Sequence, residues 1–209
     1  MQAKFGSASA RRQMFFQSGA HIQKGCRAHT GQAFKETFGL FFQLSIKHAD
    51  SILPLCKRSN SFPLDYAARQ KIGGQHLTYF NVEQFPVIPP ERYNDDWQGV
   101  KLADFITARV LELCYTAHDL KGFADDLGHT GPPFAWDEER RLHLKCQLDA
   151  LFFHLYGLTE GEAGEILDTF PIVKRQDEAR YSGKFRTRDL ILGYSRAYAA
   201  GNMDAWVKG

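Results

Sequence analysis

The sequence predicts an α+β fold that is mainly α-helical: a helix–strand segment followed by a small C-terminal helical bundle. Three observations carry this expectation. Apolar residues recur at helical spacing from Leu102 onward. Helix start and stop residues alternate in order between Asp137 and Gly201. The one stretch rich in β-formers, His76 to Val82, lies between a Gly-Gly pair and a group of prolines.

The elements follow in chain order. Ser61 suits a helix N-cap, Pro63 falls in the first turn where its missing N–H costs nothing, and Gly73-Gly74 supplies a left-handed exit, so a helix is expected over about 62–72. His76 to Val82 reads as a strand, with Leu77 and Tyr79 on one face and Thr78, Phe80 and Val82 on the other. Pro86, Pro89 and Pro90 impose an extended connection. Leu102, Phe105, Ile106, Val110 and Leu113 mark a helix, and a short one is expected between Asp119 and Leu127 before Gly128 to Pro133 breaks the chain. Asp137 caps a long helix to about Tyr156, with Glu138 and Glu139 at its positive end and Gly157 after its last turn. Thr159-Glu160-Gly161-Glu162 has capping-box form and opens a helix that Pro171 is expected to terminate. Lys174 to Arg188 reads as a basic connecting loop. Thr187 is then the expected cap of a last helix whose stripe is Leu190, Ile191, Tyr194, Ala197 and Tyr198, closed by Gly201.

Composition narrows the function classes. At 209 residues, with 44% hydrophobic and 24% charged residues, the chain can bury a core of its own. The net charge of +2 is unevenly spread: residues 1–60 hold nine Lys/Arg against two acids, a net +7, and the remainder carries −5. Such a basic arm suits either nucleic acid or solvated chain. Residues 1–47 show no sustained period and stay unassigned, either as disordered chain or as translated sequence upstream of a truncated gene. Residues 48–100 form the recognition-like segment, and 101–209 the helical domain. Cys26, Cys56, Cys114 and Cys146 form no Cys-x-x-Cys pair, which argues against a zinc ribbon or redox motif. With no secretory signal and no apolar run of spanning length, a cytoplasmic protein without a membrane partner is expected.

Two segments carry a resemblance. Leu148-Asp149-Ala150-Leu151-Phe152-Phe153-His154-Leu155-Tyr156-Gly157-Leu158 continues into Ile166-Leu167-Asp168-Thr169-Phe170-Pro171-Ile172-Val173. Asp65-Tyr66-Ala67-Ala68-Arg69-Gln70-Lys71-Ile72-Gly73-Gly74 leads to Gln84-Phe85-Pro86-Val87. Together they resemble the C-terminal, target-recognition side of prokaryotic type IIG restriction-modification enzymes and related phage-defence adenine-specific DNA methyltransferases. The resemblance implies a catalytic domain that binds S-adenosylmethionine and methylates an adenine, with C-terminal segments recognising DNA. No Asn-Pro-Pro-Tyr motif and no Gly-rich cofactor turn occur in these residues. No catalytic residue, cofactor site or metal site is therefore assigned, and S-adenosylmethionine is expected in the catalytic domain. The expected partners are duplex DNA and that domain, or a defence-complex subunit on which this chain docks as a structural module.

The candidate DNA contacts form two groups. Arg69, Lys71, Gly73, Gly74, Gln75, His76 and Asn81 combine close backbone approach with donors for phosphates and base edges. Lys174, Arg175, Arg186 and Arg188 supply cations from the second basic stretch. Each has a plainer reading: Arg69 pairs with Asp65 at i,i+4, and Lys71 complements a helix C-terminus. His143 and Cys146 make only half a metal site, Asp95-Asp96 and Asp125-Asp126 have no base or nucleophile partner, and His154 with Phe152, Phe153 and Tyr156 reads as packing.

Overall fold

The computed structural model describes residues 61–72 and 79–208. The basic N-terminal region and Gly73, Gly74, Gln75 and His76 lie outside the described residues. Within them the chain is mainly helical with a small amount of β-structure. The helices are α1 (Phe62–Lys71), α2 (Tyr79–Glu83), α3 (Leu102–Cys114), α4 (Lys121–Asp126), α5 (Glu138–Leu155), α6 (Glu160–Asp168), α7 (Pro171–Arg180) and α8 (Arg186–Ala199). Short 3₁₀ turns occupy Pro90–Asn94 and His118–Leu120. A hairpin joins β1 (Asp96–Trp97) to β2 (Val100–Lys101), pairing Asp96 with Lys101 and Trp97 with Val100.

Helix α5 is the axis of the molecule. Asp137 caps it through a bond from the Arg140 amide at 3.0 Å. At its far end Gly157 takes φ +71°, and the amides of Gly157 and Leu158 return to the carbonyls of His154 and Phe153. Those two bonds form a Schellman closure, which needs a residue at ease in the left-handed region. Every residue from Cys146 to Phe153 is buried, so no face of this half is free. A helix apolar nearly all round belongs in a core, and each fully buried Phe or Leu there contributes ~1.5–3 kcal/mol. Helix α8 packs most extensively along it, and α1 and α3 also pack against it. One core cluster takes Ala67, Ile88 and Tyr93 together with Phe152, Ile166 and Tyr194, and so draws on both sides of residue 100.

Most sequence-derived helices stand where expected, and α6 carries the full reciprocal capping box of Thr159 and Glu162. Helix α1 also spans its expected range, with Ser61 at the N-cap position but without a side-chain capping bond, and with Ile72 at its end in extended backbone (φ −92°). Four other expectations are corrected. The strand proposed over His76–Val82 is helical where it is described, from Tyr79 to Glu83. Among the described residues the sheet holds only β1 and β2, so no edge pairs with this segment, and β-propensity without a partner decides little. Phe80 is 70% exposed there.

Pro171 does not merely stop α6: it sits in the first turn of α7, where its fixed φ favours initiation. The basic stretch read as a loop is consequently α7, a tight turn at Ser182-Gly183 with positive φ, and the first turn of α8. The N-cap position of α8 is Phe185, not Thr187. The Thr187 amide instead donates to Asp177 Oδ2 of α7 at 2.6 Å, in a buried bond that satisfies one orphan donor of the helix start. The hairpin was not foreseen. Its Gln98-Gly99 turn takes φ of 52° and 80°, the two left-handed residues that a two-residue connection needs.

Candidate nucleic-acid interface

Helix α1 brings the first group of candidates onto the bundle. The Phe62 amide donates to Asp149 Oδ1 of α5 at 3.2 Å, and the Phe62 ring meets Phe170 edge-on at 4.8 Å. Arg69 donates twice to Asp65, at 2.9 and 2.8 Å, and its guanidinium lies 4.4 Å from the centre of the Phe170 ring. Its charge is thus shared with an acid one turn away, and its plane fixes α1 on the corner between α6 and α7. Lys71 is exposed at the end of α1, and its carbonyl accepts from Asn81 Nδ2 at 3.1 Å. That bond ties α2 to the end of α1 and gives Asn81 a structural task.

The second group divides. On α7, Lys174 stands 4.0 Å from Glu178, while Arg175 is exposed and has no ion pair among the described residues. On α8, Arg186 grips both carboxylate oxygens of Glu139 and lies 4.7 Å from the Tyr181 ring centre. The bond from Arg186 holds the Glu139 carboxyl below its ordinary value, and the same bond raises Arg186. Arg188 approaches Asp168 at 3.3 Å and lies against Gly164, where a Cβ would stand 3.1 Å from its Nη2. Arg69 and Arg188 therefore both hold the α6–α7 corner, one at Phe170 and the other at Asp168. Arg186 ties α8 to the first turn of α5. Arg69, Lys71, Lys174 and Arg175 are the exposed cations of the set, and of these Arg69 is held by Asp65.

A cleft of about 740 Å³ opens beside these helices, between α5 and α7. Phe62, Leu113, Leu142 and Val173 give it apolar walls, with Cys146, Asp149, Asp177 and Thr187 among its lining. Trp136, Glu138, Arg141, Lys145 and Arg180 also line it. Trp136 is 64% exposed, and the Arg141 guanidinium lies 3.7 Å from its ring centre while donating to the Leu113 carbonyl at 2.9 Å. The sequence reading missed this group. Its signal was Trp136 directly before the Asp137 cap, followed by cations at i,i+4 (Arg141 and Lys145) on one face of the next helix.

No family model, curated protein or solved structure matches the chain. The chemistry of the remaining polar residues points to packing. His143 is buried between the Tyr194 hydroxyl (2.7 Å) and Glu139 (3.2 Å), and Trp206 stacks on it at 4.2 Å. His154 Nε2 lies 2.9 Å from the Ser195 carbonyl oxygen and 3.1 Å from its hydroxyl. Burial lowers the pKa of both imidazoles, more strongly than Glu139 or the Ser195 carbonyl raises them. Arg109 donates to Gln147 at 2.7 Å and to the Phe105 carbonyl at 3.1 Å, and desolvation lowers its pKa. Cys146 lies 3.9 Å from the Thr187 carbonyl. Among the described residues no group of three or more His, Cys, Asp or Glu could hold a metal ion. Nor is any helix there long and apolar enough to cross a membrane.

Proposed function

We propose that this chain is the C-terminal, non-catalytic part of a prokaryotic restriction-modification or phage-defence adenine-specific DNA methyltransferase. In this reading residues 48–100 are the recognition segment, whose described part is seated on a helical bundle, in the cytoplasm. S-adenosylmethionine belongs to a separate catalytic domain, and this chain contributes DNA binding and target recognition. The observation that carries the reading is the joint at Phe170. The two segments that bear the resemblance, far apart in sequence, meet there through Arg69 of the first and Phe170 of the second, with Phe62 edge-on beside them. This joint fixes the end of α1, from which Gly73-Gly74 continues, on a rigid support, which is what positioning a recognition loop requires. Exposed Lys71, Lys174 and Arg175 supply the phosphate contacts.

A second reading draws on the exposed apolar residues Phe80, Trp136 and Ile172, which suit a surface that docks on a catalytic domain or a defence subunit. Two measurements separate the readings. Titration of the full chain with labelled duplex DNA should show saturable binding that weakens with salt, and calorimetric titration with S-adenosylmethionine should show no heat of binding. Absence of duplex binding, together with concentration-dependent self-association in sedimentation velocity, would favour docking over recognition.

A further inference from the structure

The segment that follows α8 folds back over the seam between α5 and α8. Met203 is buried, and the Trp206 indole stacks on the His143 ring at 4.2 Å with the planes 22° apart. Val207 lies so near Gly193 that an added Cβ there would stand 2.6 Å from its Cγ1. Beneath this strap the His143 side chain is only 3% exposed, and both ring nitrogens are engaged: Nδ1 lies 2.7 Å from the Tyr194 hydroxyl and Nε2 3.2 Å from Glu139.

Counting hydrogens fixes the state of this cluster. Arg186 keeps Glu139 ionised, and a carboxylate can only accept, so Nε2 of His143 carries the ring hydrogen. Nδ1 of the neutral ring is then an acceptor and takes the O–H of Tyr194, whose pKa burial raises. The Tyr194 oxygen in turn faces two donors, the Gln147 amide and the Val207 N–H. Its acceptor capacity is thereby filled. Gln147 is fixed in place, because its own oxygen accepts from Arg109 of α3 at 2.7 Å.

We infer that residues 203–207 form a latch set by the protonation of His143: a proton on Nδ1 makes that atom a third donor at the Tyr194 oxygen, and the Val207 N–H is expelled. The Tyr194 O–H loses its acceptor in the same step. His143 and Gln147 both stand on α5 and cannot withdraw, whereas Val207 belongs to a segment outside the helices. An imidazolium still attracts the Trp206 face, so the latch opens at its Val207 end. Burial opposes the proton most, Glu139 of α5 favours it, and Arg186 of α8 opposes it; the ring therefore titrates below its ordinary 6.5. Asp204, the acid of the strap, acts on Arg109 and Tyr198 instead. The closed latch is fully present above pH 6.5 and is lost as pH falls through the lower folded value.

The test is hydrogen exchange of the full chain between pH 7.5 and 5, expressed as protection so that the pH dependence of the intrinsic rate is removed. From pH 6.5 downward, protection at Val207 should fall by about tenfold per pH unit until His143 is protonated, the slope of one coupled proton. Protection across the buried residues 148–153 should stay level. Nitrogen-15 shifts of the His143 ring should show the Nε2–H tautomer at pH 7.5 and titrate over the same interval. His154→Gln, which removes another imidazole of lowered pKa, should leave the response intact, and His143→Gln should abolish it. Constant Val207 protection while His143 titrates, equal loss across 148–153, an Nδ1–H tautomer at pH 7.5, or a full response in His143→Gln would each overturn the latch.

Discussion

Replacing Asp177 tests how the basic C-terminal region is built. Its Oδ2 receives the Thr187 amide at 2.6 Å, and the residue is only 9% exposed, so water cannot readily replace the lost acceptor. Asp177→Ala removes the capping partner of α8 and leaves that amide buried without an acceptor. Loss of a helix cap costs ~1 kcal/mol, and an orphaned buried amide ~1–3 kcal/mol. The two figures describe one group and do not add, so a destabilisation of about 2 kcal/mol is expected. Asp177→Asn keeps an oxygen in place and loses only the charge–dipole part, ~0.5–1 kcal/mol. In urea, with a slope of roughly 2 kcal/mol/M, the midpoint should fall by about 1 M for the Ala variant and by less than half that for Asn. A stability within ~0.5 kcal/mol of the parent for Asp177→Ala would refute the capping argument, since that is the size of an ordinary surface substitution. Equal losses in both variants would refute the role assigned to the acceptor.

Other outcomes follow from the same contacts. Phe170→Ala should cost ~3–5 kcal/mol, because the ring is 3% exposed and joins α1 to the bundle; denaturant titration measures it, and a loss below 1 kcal/mol would remove Phe170 as the joint. His143 and His154 have folded pKa values below the ordinary 6.5, so their contribution is fully present above that value and is lost as pH falls from about 6.5 through the lower folded values. Thermal unfolding from pH 7.5 to 5 should show this decline, with a shallower slope in His154→Gln; a flat profile would contradict it. At Gly193 an added Cβ would stand 2.6 Å from Val207 Cγ1, so Gly193→Ala should release the C-terminal tail. The helix gains ~1 kcal/mol of propensity in exchange. Hydrogen exchange should then quicken across residues 203–207 while global stability changes little, and adding Val207→Ala should restore protection.

The helices were legible in the sequence where start and stop chemistry agreed with an apolar period. Asp137 and Gly157 bracket α5, and Thr159 with Glu162 opens α6 as read. The errors arose where composition stood in for partners. The β-formers near Tyr79 have no strand to pair with among the described residues, and Asn81 instead closes a helical turn onto the Lys71 carbonyl. The run from Lys174 to Arg188 reads as a loop because its charges hide a helix with one exposed face, and its single buried acid, Asp177, acts across space on Thr187. Periodicity cannot anticipate such a contact. Of the candidate cations, the Arg69–Asp65 pair was visible at i,i+4 spacing. The Arg186–Glu139 and Arg188–Asp168 pairs, 47 and 20 residues apart, were not.

The measurement that bears most directly on the proposed recognition role is a salt series of duplex-DNA anisotropy on the parent chain and on a Lys71→Ala/Arg175→Ala variant. Both residues are exposed, so the variant should keep the parent's unfolding midpoint. If both contact phosphates, the slope of log affinity against log salt should lose about 1.8 units, at ~0.9 per contact. Arg186→Ala serves as the contrast: it breaks the Glu139 pair and should lower stability by up to ~1 kcal/mol, with little effect on the slope. An unchanged slope and affinity in the folded double variant would contradict DNA recognition by this surface and leave the chain as a docking module.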